Sequence, residues 1–305
     1  MKSIFITGLA GMLGSNIAFL LRDKYNIYGI DKNPVNIEGV QCEEGSALDT
    51  LRVEEIIEEH HIDIFIHCAA LVNVDLCEQK PDYAEIVNYE MTNTLRKICQ
   101  KLGVKFIFIS TDAVFPGTQK GLNCETDVTA PISVYGKTKL RAEKAALENE
   151  DSLVIRTNIY GFNYRDKNSF GEWVVQALNS DEAPNMFTDL TFSPILVNHF
   201  VEILDRCIDK DLKGVYHICS TGMISKYDLG VAIQKAFDIR GMINPISMED
   251  YKFAAPRTKN MGMDNGKIKR ELGLEINNPY EDAEEFCRLW KAGYGKALKE
   301  GRREK

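Results

Sequence analysis

Two side chains that could act together in proton transfer lie four residues apart near the middle of the chain. Tyr135 and Lys139 belong to the run Ser133-Val-Tyr-Gly-Lys-Thr-Lys139. On a helix, residues at this spacing share one face, so the phenol and the ammonium could enter one pocket. A nearby cation favours the phenolate, and we therefore expect Lys139 to lower the Tyr135 pKa, which would make this phenol a proton donor and acceptor near neutral pH. The pair by itself would equally suit a solvated helix face. The rest of the sequence must show whether the two side chains belong to a site.

A glycine-rich turn near the N-terminus could hold the phosphates of a nucleotide. A β-branched and aromatic run predicts a buried strand at Ser3–Thr7, and helical periodicity follows the turn. Between them, Gly8 would permit a tight turn, Gly11 a close approach of the backbone to a pyrophosphate, and Gly14 close packing of the helix on the strand. The spacing is G-x-x-G-x-x-G, whereas most dehydrogenases have G-x-G-x-x-G. We expect five residues of this turn to contact a dinucleotide: Gly8, Gly11, Met12, Leu13 and Gly14.

The second predicted strand, Asn26–Asp31, ends in an acidic residue about twenty positions after the glycines. A carboxylate at that place can accept hydrogen bonds from an adenine ribose and would repel a 2′-phosphate. Asp31 therefore favours NAD(H), while the neighbouring Lys32 keeps NADP(H) possible. A second interpretation is that Asp31 only caps the turn that enters Asn33-Pro34.

Two further predicted strands end in residues suited to a ligand site. The strand at Ile62–Ala70 ends in Ala69 and Ala70, whose small side chains would let the backbone approach a cofactor. The strand that begins at Val104 continues into Ser110, Thr111 and Asp112, and α/β sheets bind ligands at the carboxyl ends of their strands. A Ser-Thr-Asp run after a strand is also a common turn or cap.

The order of elements predicts an α/β fold. Predicted helices at 51–60 and 81–102 alternate with the strands, and Ser152–Thr157 predicts another strand, which indicates a doubly wound parallel (Rossmann) sheet. We expect residues 1–160 to form the dinucleotide-binding domain and residues 161–305 mainly a smaller C-terminal substrate-binding lobe.

The second half of the chain should return once to the sheet, over about residues 195–219. The apolar segments Phe192–Val197 and Gly214–Cys219 are the expected strands of that return. The last segment, Tyr294–Lys305, is charged and predicts a frayed end.

Composition excludes several classes of protein. The chain has 305 residues, 44% of them hydrophobic, and a net charge of −8, which argues against nucleic acid or an anionic membrane as the main partner. No apolar run approaches the roughly 18–20 residues that a membrane span needs. The apolar run near the N-terminus is too short for the hydrophobic region of a signal peptide. The chain has eight cysteines, and no two of them have the C-x-x-C spacing, so neither a metal site nor a disulfide framework is predicted. We expect a cytoplasmic protein.

These motifs together resemble the extended short-chain dehydrogenases/reductases. The likeness is greatest to the dTDP-4-dehydrorhamnose reductase group, which reduces 4-keto sugar nucleotides with NAD(P)H. It runs nearly end to end. Besides the glycine turn, the segments that carry it are Ser110-Thr-Asp-Ala-Val-Phe-Pro-Gly117, Pro131-x-x-x-Tyr135-Gly-x-x-Lys139, Arg156-Thr-Asn-Ile-Tyr-Gly161, Gly214–Ile218, Ser225–Asp228 and Arg257–Asp264.

The resemblance implies a catalytic triad of Thr111, Tyr135 and Lys139. A hydride that reaches a ketone carbon builds negative charge on the carbonyl oxygen. Tyr135 would give that oxygen a proton, Thr111 would hydrogen-bond it, and Lys139 would tune Tyr135 and hold the nicotinamide ribose. In the part of the chain where that group tends to carry a Trp, this chain has Asn158-Ile-Tyr160, which leaves the sugar open.

Four residues are expected at a nucleotide-sugar substrate. Arg257 follows Pro256 in a loop, and its guanidinium suits a diphosphate, although a solvated surface would suit it equally. By analogy with the family, Trp173 could line the nucleotide end, with core packing as its alternative. We also expect substrate contacts from Asn88 on the long helix and from Asp112 at the strand end.

Two other functions stay open at this point. One is a sugar-nucleotide epimerase or dehydratase that recycles NAD, although dehydratases of this superfamily usually add an Asp-Glu pair beside the catalytic Thr, where this chain has Asp112-Ala113. The other is a non-catalytic, cofactor-binding regulatory subunit similar to the beta subunit of methionine adenosyltransferase. A homodimer is a family expectation.

Overall fold

A seven-stranded parallel sheet forms the centre of the computed structural model, which describes residues 1–180 and 183–302. The strands are, in chain order, β1 (Ser3–Thr7), β2 (Asn26–Asp31), β3 (Val40–Glu44), β4 (Ile64–His67), β5 (Lys105–Thr111), β6 (Leu153–Thr157), β7 (Ile159–Tyr160), β8 (Asn185–Phe187), β9 (Thr191–Phe192), β10 (Ile195–Leu196), β11 (Gly214–His217), β12 (Ile224–Ser225), β13 (Asn244–Ile246) and β14 (Asn260–Met261). The central sheet has the order β11-β6-β5-β4-β1-β2-β3. This arrangement confirms the predicted doubly wound fold.

Helices cover both faces of this sheet, and each face has its own apolar core. The helices are α1 (Met12–Leu21), α2 (Thr50–Glu59), α3 (Val74–Gln79), α4 (Pro81–Glu85), α5 (Met91–Leu102), α6 (Val134–Ala146), α7 (Phe170–Leu178), α8 (Val197–Asp209), α9 (Lys226–Phe237), α10 (Gly266–Leu272), α11 (Pro279–Lys291) and α12 (Tyr294–Glu300). Because both faces are covered, strands such as β1 and β6 are buried along their whole length, which explains their continuous apolar runs.

The strand order reverses beside β1. From β1 the chain moves outward to β2 and β3, and it then returns to place β4 on the other side of β1. The connections that leave β1 and β4 therefore diverge and open a crevice at the carboxyl ends of these strands. Any ligand of this sheet is expected there.

A second lobe of short strands faces this crevice. It contains three small sheets, made of β7 with β10, of β9 with β12 and β14, and of β8 with β13. The predicted strand near Gly214 is present as β11 at the edge of the central sheet, where it pairs with β6.

The prediction for Phe192–Val197 is wrong, because this segment does not join the central sheet. Phe192 belongs to β9, and Ile195 begins β10, which pairs with β7. Ser193 and Pro194 separate the two strands, and a proline cannot donate to a ladder. The Ser193 hydroxyl instead donates to the Gly222 carbonyl (2.6 Å) and accepts from the backbone NH of Met263 (3.0 Å).

The predicted helix over 81–102 is interrupted by a π-helical turn at Ile86–Glu90. One extra residue per turn at this point rotates the following helix and buries Asn88. Single π-helical turns inside α-helices are frequent at functional sites, and this one lies under the crevice.

The prediction of a frayed C-terminal end is also wrong for the described residues. Tyr294 packs against Phe162, its hydroxyl donates to Asn16 Oδ1 (2.7 Å), and Leu298 is fully buried. These apolar contacts outweigh the charge of the segment, and α12 packs on α1. Residues 303–305 of that prediction lie outside the described residues.

None of the helices within residues 1–180 and 183–302 combines the length and the apolar character needed to span a membrane.

Candidate active site

A cavity of about 930 Å³ occupies the crevice at the carboxyl ends of β1, β2, β4 and β5, and the second lobe forms its opposite wall. Most of the predicted site residues line it. From the cofactor prediction these are Gly8, Gly11, Met12, Leu13, Gly14, Asp31, Ala69 and Ala70, and from the catalytic and substrate predictions Thr111, Asp112, Tyr135, Lys139 and Arg257.

The glycine turn forms a backbone cradle at one end of the cavity. Gly8 has φ +70°, and a Cβ built on it would lie 2.9 Å from the backbone nitrogen of Ala69. A Cβ on Gly14 would collide with the carbonyl oxygen of Gly8. Side chains are therefore excluded where the turn meets the start of α1, and the free backbone NH groups of that helix end face the cavity. This geometry fits the diphosphate of a dinucleotide.

Buried polar groups hold the floor of this cradle. The Thr7 hydroxyl accepts a hydrogen bond from the backbone NH of Ala69 (3.2 Å) and contacts His67 Nδ1 (2.7 Å). His67 Nε2 contacts the Thr92 hydroxyl (3.0 Å), and burial lowers the His67 pKa to about 3. A neutral imidazole therefore links β1, β4 and α5 and keeps Ala69 beside Gly8.

Asp31 lines the cavity and also caps a turn, so the turn interpretation is confirmed and the contact with an adenine ribose stays a prediction. Its Oδ1 accepts from the backbone NH and the amide of Asn33 (both 2.9 Å), and its Oδ2 accepts from the backbone NH of Ala10 (3.1 Å). Lys32 lies beside it on the cavity wall. The loop after β3 also lines this end, through Gly45, Ser46, Ala47 and Leu48.

Close packing after β5 brings Tyr135 beside Thr111. Ser133 caps α6 by accepting from the backbone NH of Gly136 (3.2 Å). A Cβ on Gly136 would collide with the carbonyl oxygen of Ala113, so only glycine lets α6 pack this close to the end of β5. The first turn of α6 then presents Tyr135, and its next turn Lys139, to the cavity.

Lys139 is buried and points toward the end of β5. Its Nζ donates to the Ile109 carbonyl (2.6 Å) and lies 4.0 Å from the centroid of the Phe108 ring. Burial lowers the Lys139 pKa to about 7, although the negative charge of Glu143 opposes the shift. An amine whose pKa lies near neutral pH can hold or release a proton at this position.

The expectation that Lys139 lowers the Tyr135 pKa is wrong for this structure. Burial raises the pKa of Tyr135 well above its usual value, and the charge of Asp112 adds to the shift, while the Thr111 hydroxyl opposes it. Lys139 does not counteract this shift because its ammonium is directed to Ile109. Tyr135 is therefore a neutral phenol, which is the protonation state of a proton donor.

Thr111 belongs to a polar chain that reaches Asn158. Its hydroxyl donates to Asp112 Oδ1 (3.0 Å) and accepts from the backbone NH of Ala113 (3.1 Å). Asp112 Oδ2 accepts from the Asn158 amide (2.6 Å), and burial raises the Asp112 pKa. To donate to a substrate oxygen, the Thr111 hydroxyl would have to turn its hydrogen away from Asp112.

Two predicted substrate residues lie outside the cavity wall. Asn88 is buried beneath it, where its amide accepts from the Leu71 NH (2.8 Å) and donates to the Leu71 carbonyl and the Thr138 hydroxyl (both 3.2 Å). All of these bonds are internal, so Asn88 supports the wall without reaching the substrate space. Trp173 is 38% exposed and packs on Phe170, so it forms neither the cavity wall nor the core.

Arg257 reaches the cavity from the second lobe, but it is already paired. Its Nη2 lies 2.8 Å from Asp75 Oδ2, and Asp75 Oδ1 accepts from the backbone NH of Ala255 (2.9 Å). Its guanidinium carbon also lies 5.4 Å from the centroid of the Phe253 ring.

Lys226 is a cavity residue that sequence reasoning missed. It is the first residue of α9 and lines the same cavity as Asp112. The segment Ser225–Asp228 had been noted only as a point of resemblance, and nothing in its composition separates Lys226 from an ordinary surface lysine. In the part of the chain that the structure covers, no group of three or more His, Cys, Asp or Glu side chains is placed to hold a metal ion.

Comparisons with known proteins agree with this geometry. The sequence model of the RmlD substrate binding domain matches residues 1–289. The chain is 30% identical over 278 residues to the Haloferax volcanii protein described as probable low-salt glycan biosynthesis reductase Agl14, with 88% of this chain and 92% of that protein covered. It is 28% identical over 300 residues to methionine adenosyltransferase 2 subunit beta of Pongo abelii, with 92% and 85% covered.

A solved structure shows the same fold over nearly the whole chain. The dTDP-4-dehydrorhamnose reductase of Bacillus anthracis, in complex with NADP, superposes with a TM-score of 0.84 at 27% identity. The match covers 94% of this chain and 99% of that one.

Proposed function

The chain belongs to the RmlD substrate binding domain family, and from this premise we propose that it reduces the 4-keto group of a nucleotide-linked deoxysugar with NADH or NADPH. One observation carries the proposal. Thr111, Tyr135 and Lys139 share a single cavity with the glycine cradle, so a phenol, a hydroxyl and an amine lie where a cofactor and a ketone could meet. The reductases among the relatives and solved structures support the same reaction class.

The two lobes would divide the binding work. We propose that residues 1–160, together with the return at about 195–219, hold the dinucleotide, and that the rest of 161–305 mainly holds the nucleotide sugar. The cradle at Gly8–Gly14 excludes side chains where a diphosphate would lie, and the carboxylate of Asp31 favours an unphosphorylated ribose, hence NAD(H). Lys32 on the same wall keeps NADP(H) possible.

A bound nicotinamide cofactor would supply a hydride for the ketone carbon, and the residues of the chain would control the proton. The neutral phenol of Tyr135 donates its proton to the developing alkoxide. The Thr111 hydroxyl donates a hydrogen bond to the same oxygen after turning from Asp112. Lys139, whose ammonium is directed to the Ile109 carbonyl and not to Tyr135, would hold the nicotinamide ribose. Positioned acid catalysis of this kind contributes about 10²–10⁴-fold in rate.

Reduction of a panel of 4-keto sugar nucleotides tests the proposal. Purified protein should oxidise NADH when given a dTDP-4-keto-6-deoxyhexose, and Tyr135→Phe should lose about 10²–10⁴-fold in kcat while it still binds NADH. Tyr280→Phe is the matched control, because Tyr280 is 57% exposed and lies outside the cavity wall. If Tyr135→Phe turned over the substrate as fast as the wild type, Tyr135 would not be the proton donor.

A second candidate is a non-catalytic, cofactor-binding regulatory subunit. The similarity to methionine adenosyltransferase 2 subunit beta over 92% of this chain is the observation that favours it. The two candidates differ in one measurement. A regulatory subunit would bind the dinucleotide yet oxidise no NADH with any 4-keto sugar nucleotide in the panel, and its binding would be the same in Tyr135→Phe.

A further inference from the structure

The ammonium of Lys226 faces the cavity between two aromatic rings. Its Nζ lies 3.8 Å from the centroid of the Phe192 ring and 4.4 Å from that of Phe170. Among the described residues, no oxygen accepts a hydrogen bond from this Nζ, and no carboxylate lies within ion-pair distance of it. The second ammonium of the cavity differs, because Lys139 donates to the Ile109 carbonyl. The half-buried Lys226 therefore has ring faces where a cation withdrawn from solvent normally has an oxygen acceptor.

The surroundings of Lys226 are those of a cation that lacks its anion. Lys226 is the first residue of α9, where the helix dipole disfavours positive charge. Burial lowers its pKa to about 8, and only the charge of Asp112 opposes the shift. The Asp112 oxygens already accept from Thr111 and Asn158, so Asp112 attracts Lys226 without neutralising it. An anion brought by a ligand would supply the missing partner.

Lys226 shares its cavity with the residues expected to act on the ketone. Thr111, Asp112, Tyr135 and Lys226 all line it, and the charge of Asp112 acts on Lys226. In a nucleotide sugar, the diphosphate is attached to the anomeric carbon, across one ring from a 4-keto group. A ligand whose ketone meets Thr111 and Tyr135 therefore brings its diphosphate into the same cavity, where the Lys226 ammonium has no ion-pair partner among the described residues.

We propose that Lys226 binds the diphosphate of the nucleotide sugar and so makes the site specific for nucleoside diphosphate substrates. This inference rests on the proposed function for the identity of the cavity's second ligand. It also revises the role expected of Arg257. That guanidinium is paired with Asp75, whereas the Lys226 ammonium is not paired with any described residue.

A binding experiment without turnover tests the inference. Calorimetry on the NAD-loaded protein compares deoxythymidine 5′-diphosphate with deoxythymidine 5′-monophosphate, for the wild type and for Lys226→Met, Lys226→Gln and Lys226→Arg. Methionine and glutamine remove the charge, and arginine keeps it. Lys235→Met is the matched control, since Lys235 is exposed on the same helix.

We expect the wild type to bind the diphosphate about tenfold or more tightly than the monophosphate, as a charged hydrogen bond would give. Lys226→Met or Lys226→Gln should reduce this preference to about twofold or less, while Lys226→Arg and Lys235→Met keep it. NAD affinity should stay the same in all variants that remain folded.

Two results would overturn the inference. One is a wild-type protein that does not prefer the diphosphate, and the other is an unchanged preference in either uncharged variant. Because neither result depends on ketone reduction, the inference can fail while the proposed function holds. A protein that shows the preference and reduces no ketone would instead contradict the proposed function.

Discussion

Arg257 and Asp75 join the two lobes beside the cavity. Arg257 Nη2 lies 2.8 Å from Asp75 Oδ2, and Asp75 also accepts from the backbone of Ala255 in the Arg257 loop. Asp75 is in the first turn of α3, which follows β4 of the central sheet. The pair therefore ties the second lobe to the first, and it also occupies the guanidinium that had been expected to meet the substrate.

This pairing predicts different effects for its two partners. Asp75→Asn removes the competing charge, so a nucleotide sugar should gain access to Arg257 and its KM should fall several-fold. Arg257→Ala should leave that KM within about twofold, because the guanidinium is already paired with Asp75, and NADH affinity should stay unchanged. Steady-state kinetics and NADH calorimetry on both variants provide the measurements. An increase in KM for both would mean that the pair positions the loop and does not compete with the substrate.

Cofactor preference should depend on Asp31 and Lys32 in opposite directions. We expect NADH to bind more tightly than NADPH because the Asp31 carboxylate, which lines the cavity, would accept hydrogen bonds from a ribose and repel a 2′-phosphate. Asp31→Asn should shift the ratio of dissociation constants about tenfold toward NADPH, and Lys32→Ala should shift it toward NADH. Calorimetry with both cofactors measures the ratio. A wild-type preference for NADPH would contradict the assignment of Asp31.

Asn88 should affect stability more than substrate affinity. Its amide holds Leu71 and Thr138 through three internal hydrogen bonds, and Asn88→Ala would remove all three, leaving the Leu71 NH without this acceptor. We expect a loss of about 1–3 kcal/mol in unfolding free energy. Thermal and denaturant unfolding measure it, with Thr94→Ala on the same helix as an exposed control. An increased KM with unchanged stability would return Asn88 to the substrate site.

Local patterns predicted much of the central sheet and the site. The strand, glycine turn and helix over Ser3–Leu21 could be predicted because each depends on nearby residues, such as the clash that excludes a side chain at Gly14. The i, i+4 spacing likewise placed Tyr135 and Lys139 on one helix face, and both line the cavity.

Features that depend on distant contacts could not be predicted. The π-helical turn lets the Asn88 amide form hydrogen bonds with Leu71 and Thr138, which lie far from it in sequence. The Tyr135 pKa depends on how deeply the phenol is buried and on where the Lys139 ammonium points. The i, i+4 spacing alone predicts neither property. The sequence does not distinguish Lys226 from other lysines, because Phe170 and Phe192 come beside its ammonium only in the folded chain.

Replacing Lys139 should make the protein more stable and less active, with a definite pH dependence. In the folded state the Lys139 pKa is about 7, whereas an unfolded lysine titrates at about 10.4. At pH 6 both states are protonated, and the folded state bears the full cost of a buried ammonium. Between about pH 7 and 10.4 the unfolded state binds more protons, so this group makes wild-type stability rise with pH.

Lys139→Met removes that cost and keeps most of the side-chain volume. Its Tm should exceed the wild-type Tm by a few degrees at pH 6, and the difference should shrink toward pH 10, since about 1 kcal/mol is worth roughly 2–4 °C in large domains. Thermal scans at pH 6, 8 and 10 measure this, with the exposed Lys137→Met as the matched control. A Lys139→Met protein less stable than wild type at pH 6 would show that the hydrogen bond to Ile109 and the Phe108 ring outweigh the cost of burial.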